Sequence, residues 1–101
     1  MGALAFDAEL WEHSGEGSWH FVTLPVDLSA DIRDQTPPRR GFGSVRVEVI
    51  VGDSTWSTSL FPDSKSDAYV LPVKREVRDR NGLQAGDRVA VTIRLVDGPA
   101  G

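Results

Sequence analysis

Eight side chains of this chain have the chemistry to orient a small anion or a flat ring: His20, Arg46, Trp56, Thr58, Ser59, Lys65, Tyr69 and Lys74. Arg46 and Lys74 supply positive charge, and Trp56 or Tyr69 offers a stacking face; the hydroxyls and His20 add hydrogen-bonding groups. The competing reading is that small barrels fill their interiors with side chains, which makes Trp56 core and Arg46 surface. Both readings stay open at this level. His13 and His20, with Glu12 and Glu16, have metal-ligand chemistry, but six residues separate the histidines and only a symmetric turn would bring them together. Solvated turn residues are the simpler account, so no metal and no cofactor is expected. Nucleophilic catalysis lacks its signature, since Gly41-Phe-Gly-Ser44 and Gly15-Glu-Gly-Ser18 do not have the Gly-x-Ser-x-Gly spacing. Gly41-x-Gly43 runs on to Arg46 where a dinucleotide fingerprint requires glycine, and it precedes a strand rather than a helix. A non-catalytic binding or interaction domain is therefore expected, with a small enzyme as one alternative.

Charge narrows the partners. The chain has 15 acidic and 11 basic residues, a net charge of −4. Residues 1–38 hold seven acids and one base, Arg33, whereas the remainder is slightly basic. That distribution argues against an extended basic face for nucleic acid, although Arg39-Arg40 beside Pro37-Pro38 forms a local pair. A small anionic or aromatic ligand comes first among expected partners and a protein partner second, on a monomer or weak dimer. With 101 residues, 40% of them hydrophobic, one core is expected over residues 1–96, with 97–101 as a flexible tail. The absence of cysteine excludes disulfides and thiolate metal sites and fits a reducing compartment. No apolar run approaches the roughly 20 residues that span a bilayer, and Met1 to Phe6 lacks the features of a secretion signal. Position 6 is Phe, where a myristoylation motif has Ser or Thr. The expected location is cytoplasmic.

The elements that must position these side chains are mostly strands. Leu4 to Glu12 alternates, with Leu4, Phe6, Ala8 and Leu10 on one side, and Trp19 to Leu24 is the return strand after a turn over His13 to Gly17. Asp27 caps a short helix to about Gln35, with Leu28 and Ile32 on one face, and the Pro37 to Gly41 stretch forms a loop. In Ser44 to Val51, four valines alternate with Arg46, Glu48 and Ile50. Gly52-Asp53 then reads as a two-residue hairpin turn. Counting outward from it places Val49 opposite Trp56, Val47 opposite Thr58, Val45 opposite Leu60, Arg46 opposite Ser59 and Glu48 opposite Ser57. Pro62 to Asp67 is expected as a loop and Tyr69 to Leu71 as a short strand. A second helix follows Pro72, with Val73 and Val77 on one face and Asn81-Gly82 as its end. Arg88 to Val96 is the last strand.

Val22-Thr-Leu-Pro-Val26 resembles Tyr69-Val-Leu-Pro-Val73, and Ser44 to Val51 alternates like Arg88 to Leu95. Each half thus reads strand, strand, helix, strand, and two such units packed about a pseudo-twofold axis would close one barrel. The fold expected is mainly β, a double-split β-barrel of six or seven strands capped by two short α-helices.

Five segments carry a family resemblance: Phe6-Asp-Ala-Glu-Leu-Trp11, Trp19-His-Phe-Val-Thr-Leu-Pro25, Gly41-Phe-Gly-Ser-Val-Arg-Val47, Thr55-Trp-Ser-Thr-Ser-Leu-Phe-Pro62 and Tyr69-Val-Leu-Pro-Val-Lys74. Together they resemble the bacterial domain of unknown function 1905 family, over about Leu4 to Leu95. The resemblance implies a double-split β-barrel capped by helices, a fold shared with transcription factors of the AbrB and MazE type. Leu83-Gln-Ala-Gly-Asp-Arg-Val89 is similar to the Gly-Asp turn of those proteins, which keeps an AbrB-like nucleic-acid regulator as the other alternative. In those proteins two chains build the barrel; the doubled pattern here implies that one chain supplies both halves. The resemblance carries no catalytic residue over to this chain.

Overall fold

Val45, Val47, Val49 and Val51 all turn into the interior, whereas Arg46 and Ile50 between them are exposed. That alternation is the period of a strand buried on one face, and it sets the pattern for the whole molecule. The computed structural model describes residues 3–13, 19–35 and 44–96. Its elements are β1 (Leu4–Glu12), β2 (His20–Thr23), α1 (Val26–Gln35), β3 (Val45–Val51), β4 (Ser54–Asp63), β5 (Ala68–Pro72), α2 (Arg75–Asn81) and β6 (Arg88–Leu95). The strands form a closed antiparallel barrel in the order β1-β2-β5-β4-β3-β6. Closure leaves no strand without a partner on either side, which removes the exposed edges on which chains aggregate. Leu10, Val22, Leu60, Leu71, Val91 and Ile93 are among the side chains that fill the interior.

The β3–β4 hairpin has the register counted from its turn. Val49 faces Trp56, Val47 faces Thr58, Val45 faces Leu60, Arg46 faces Ser59 and Glu48 faces Ser57. Trp56 is half-buried and packs against the core.

The pseudo-twofold is visible in the ladders. Exchanging β1 with β4, β2 with β5 and β3 with β6 leaves the ring of neighbours unchanged. Placing Val22 on Tyr69, as the repeated segment requires, carries Leu10 onto Pro62, because these are their respective partners. Placing Ile93 on Val49 likewise carries Leu4 onto Trp56. Leu4 and Leu10 are as far apart in sequence as Trp56 and Pro62, so two separate ladders give one alignment of β1 on β4. Each half, β1-β2-α1-β3 or β4-β5-α2-β6, lacks a closed sheet alone and obtains one from the other.

Several sequence boundaries shift. The β4 strand runs on through Pro62 and Asp63, which pair with Tyr69 and Ala68, so the turn is confined to residues 64–67. Proline fits there because β4 pairs to Tyr69 without needing a donor from position 62. Helix α2 begins at Arg75, after Val73 has used its N–H on the His20 carbonyl at 2.9 Å in continuation of the β2–β5 ladder. The α1 helix already includes Asp27 in its first turn, where Oδ1 accepts the Leu28 N–H at 3.0 Å; the Pro25 carbonyl accepts the first helical bond, from Ser29. The last strand ends at Leu95 rather than Val96. Ser14 to Gly17 of the expected His13 to Gly17 turn, the Pro37 to Gly41 loop, Gly43 and the tail after Val96 lie outside the described residues.

The two helices cover different strands. Ser29 and Ile32 are buried, and the Ser29 hydroxyl accepts the Tyr69 N–H of β5 at 3.0 Å. Helix α2 buries Val77 and ends at Gly82, whose left-handed φ of 64° lets its N–H return to the Asp79 carbonyl and that of Leu83 to the Arg78 carbonyl. The Gly-Asp turn before β6 is tied to β1: the Gly86 N–H donates to the Leu10 carbonyl and the Leu10 N–H to the Asp87 carbonyl, both at 2.8 Å. Among the described residues no helix is long and apolar enough to cross a membrane.

The β4–β5 turn holds one perturbed carboxyl. The Ser66 hydroxyl donates to Asp63 Oδ2 at 2.8 Å, and this bond, with backbone N–H groups of Lys65 and Ser66, holds the Asp63 pKa below the ordinary aspartate range. A lowered carboxylate pKa favours the folded state above the ordinary value, and that contribution disappears as pH falls through the lowered one. Ser66→Ala is expected to raise the Asp63 pKa toward the ordinary range, read by NMR titration of its side-chain carboxyl.

Candidate functional site

Chain direction brings three stretches to one place. The β5 strand lies between β2 and β4 in the barrel, and the chain leaving β5 enters α2, which packs on β4. Where α2 starts, a cleft of about 500 Å³ opens. From β4 it is lined by Trp56, Ser57 and Thr58; from the start of β2 by Trp19 and His20; and from the β5–α2 passage by Pro72, Val73, Lys74, Arg75 and Arg78. Its volume falls within the usual range of small-molecule sites.

The lining is sorted by chemistry. Val73 and His20 are buried, the latter only 8% exposed, whereas Trp19 is 60% exposed. Lys74, Arg75 and Arg78 provide three cations, and among the described residues no carboxylate lines this cleft. Arg78 is the anchored one: its Nε–H donates to the Val73 carbonyl at 3.2 Å, which fixes one edge of the guanidinium and leaves the Nη donors for another acceptor. Lys74 and Arg75 pair with Glu76 at 3.9 Å and with Asp79 at 3.6 Å, all on exposed side chains. Exposed pairs of this kind contribute about 0–1 kcal/mol, so an anionic ligand can replace them at small cost.

A second concavity of about 410 Å³ lies on the far side of Trp56 and Lys74, which line both. It differs in carrying Asp53 and Glu76 together with Arg80. A third, of about 440 Å³, is apolar and lies against Trp19, Phe21, Phe61, Val70 and Pro72. There the Trp19 and Phe21 rings stack at 6.4 Å and Trp11 lies 5.0 Å from Phe21.

A family model described as Domain of unknown function (DUF1905) matches residues 6–93, nearly the whole barrel. The chain belongs to the DUF1905 family. No curated protein matches it. In this DUF1905 domain, any chemistry has to be argued from the side chains that the barrel brings together.

Of the eight residues singled out in the sequence, His20, Trp56, Thr58 and Lys74 meet in the first cleft. The other four do not line it. Arg46 is exposed on the outside of β3, opposite Ser59. Lys65 is exposed in the β4–β5 turn, its N–H donating to Asp63. Tyr69 is 5% exposed and part of the core, with the Arg33 guanidinium 5.8 Å from its ring centre. Strand parity explains Arg46, and the cover of α1 over β5 explains Tyr69. Sequence reading missed Trp19, Ser57, Arg75 and Arg78. A signal for the last two was present: Lys74, Arg75 and Arg78 cluster at the start of a short helix, one helical turn apart. His20 lies opposite Glu12 on β1, and among the described residues no group of three or more His, Asp or Glu is placed to hold a metal.

Proposed function

We propose that this DUF1905 domain is a cytoplasmic, non-catalytic binding module that takes a small anionic, aromatic ligand in the cleft between β4, the start of β2 and α2. One observation carries the reading: two tryptophans and three cations line a single concavity to which the described residues contribute no carboxylate. A flat ring gains stacking area on Trp56 or Trp19, and an anionic group gains charge-assisted hydrogen bonds from Arg78, Lys74 and Arg75. Ser57, Thr58 and His20 supply hydrogen-bonding groups to orient the ring. A dedicated electrophile or nucleophile–base pair has no part in this account, which is why binding rather than turnover is proposed. The test is a thermal-shift screen, followed by calorimetry, with aromatic carboxylates, aromatic sulfonates and nucleotides. At least one class should stabilise the fold, and Trp56→Leu should weaken its binding by about tenfold. No stabilisation by any aromatic anion would end the proposal.

A further inference from the structure

We infer that the ligand of this cleft is a phosphate monoester whose alcohol part also bears an aromatic ring, of the mononucleotide class; the inference rests on the binding role proposed above. Three cations around one concavity exceed what a single carboxylate needs, since one guanidinium already satisfies a carboxylate with two parallel bonds. A phosphate monoester carries close to two charges at neutral pH and three acceptor oxygens, which matches Arg78, Lys74 and Arg75. Arg78 is the principal contact, because its bond to the Val73 carbonyl holds the guanidinium in place before any ligand arrives. Trp56 and Trp19 present faces for the base.

The neighbouring concavity sets the length. Past Trp56 and Lys74 the lining adds two carboxylates, Asp53 and Glu76, and one cation, Arg80, so a further phosphate running in that direction would meet more negative than positive added charge. That arrangement favours a single phosphate over a polyphosphate or a strand of nucleic acid.

Calorimetry on the full chain, at one salt concentration, tests this with adenosine 5′-monophosphate, uridine 5′-monophosphate, the two nucleosides, indole-3-acetate, adenosine 5′-triphosphate and a 5′-phosphorylated tetranucleotide. At least one monophosphate should bind about tenfold or more tightly than its nucleoside and than indole-3-acetate. Arg78→Lys keeps the charge but loses the fork, and should reduce that preference by about tenfold; Lys74→Ala, on an exposed side chain, gives a second variant that does not disturb folding. If indole-3-acetate binds as well as the monophosphates, the phosphate assignment falls while the anion-binding cleft stands. Tenfold tighter binding of the triphosphate or the tetranucleotide also overturns it, in favour of those ligands. If none of the compounds binds, both the assignment and the role beneath it fall.

Discussion

Ile93→Ala is expected to destabilise the domain by about 2–5 kcal/mol, the range for removing a buried isoleucine where the surroundings collapse only in part. The melting temperature should fall by on the order of 10–30 °C for a domain of this size. Ile93 has no solvent exposure. Its position explains the size of the effect: on β6 it lies opposite Leu4 of β1 on one side and Val49 of β3 on the other. Under the pseudo-twofold it corresponds to Val49 itself, so the substitution opens a hole where the two halves meet. Since a small domain is stable by only about 5–15 kcal/mol, this one change removes a large share. Ile50→Ala is the matched control. Ile50 is one residue along from Val49, 37% exposed and on the outer face, and its loss should cost less than about 1 kcal/mol. Denaturant unfolding of both variants gives the comparison, and equal losses would contradict the inward and outward assignment of β3 and β6.

The sequence discloses elements that rest on local periodicity far better than it discloses the site. The β3–β4 register is legible because a Gly-Asp turn of two residues permits only one pairing, and the valine row then decides which face is buried. The barrel is legible because the two halves repeat the same order of elements. Arg46 and Tyr69 show where that logic stops. Alternation says that Arg46 points outward, but it does not say which outer surface carries a cleft. Tyr69 has the composition of a ligand-stacking residue and is instead sealed by α1, whose Ser29 and Arg33 lie far from it in sequence. The cleft is assembled from β2, β4 and the β5–α2 passage, and local patterns carry no information about the angle at which α2 crosses β4. The clustering of Arg78 with Lys74 and Arg75 is legible in the sequence, but the bond that anchors it to the Val73 carbonyl is not.

The same hairpin supplies the second large effect, in which a turn and a helix end depend on each other. Gly52 has φ +56°, a left-handed conformation that costs an L-residue about 1–2 kcal/mol. A methyl group at Gly52 would also run into the Asn81 side-chain oxygen. The end of a flexible side chain normally swings away at little cost, but Asn81 is held: its Nδ2 donates to Ser54 Oγ at 3.1 Å and to the Val77 carbonyl at 2.9 Å. Ser54 is itself buried. Moving Asn81 therefore breaks two bonds that contribute about 1 kcal/mol each, and Gly52→Ala should cost about 3 kcal/mol in all. Asn81→Ala removes the obstacle together with both bonds, at about 1–3 kcal/mol. In that background Gly52→Ala should cost only the backbone strain, so the double variant should be more stable than the sum of the single losses by about 1–2 kcal/mol. Chemical denaturation of the four proteins measures that coupling. Strict additivity, within about 0.5 kcal/mol, would mean that α2 does not brace the β3–β4 turn, and the cleft beside α2 would then lose its rigid wall.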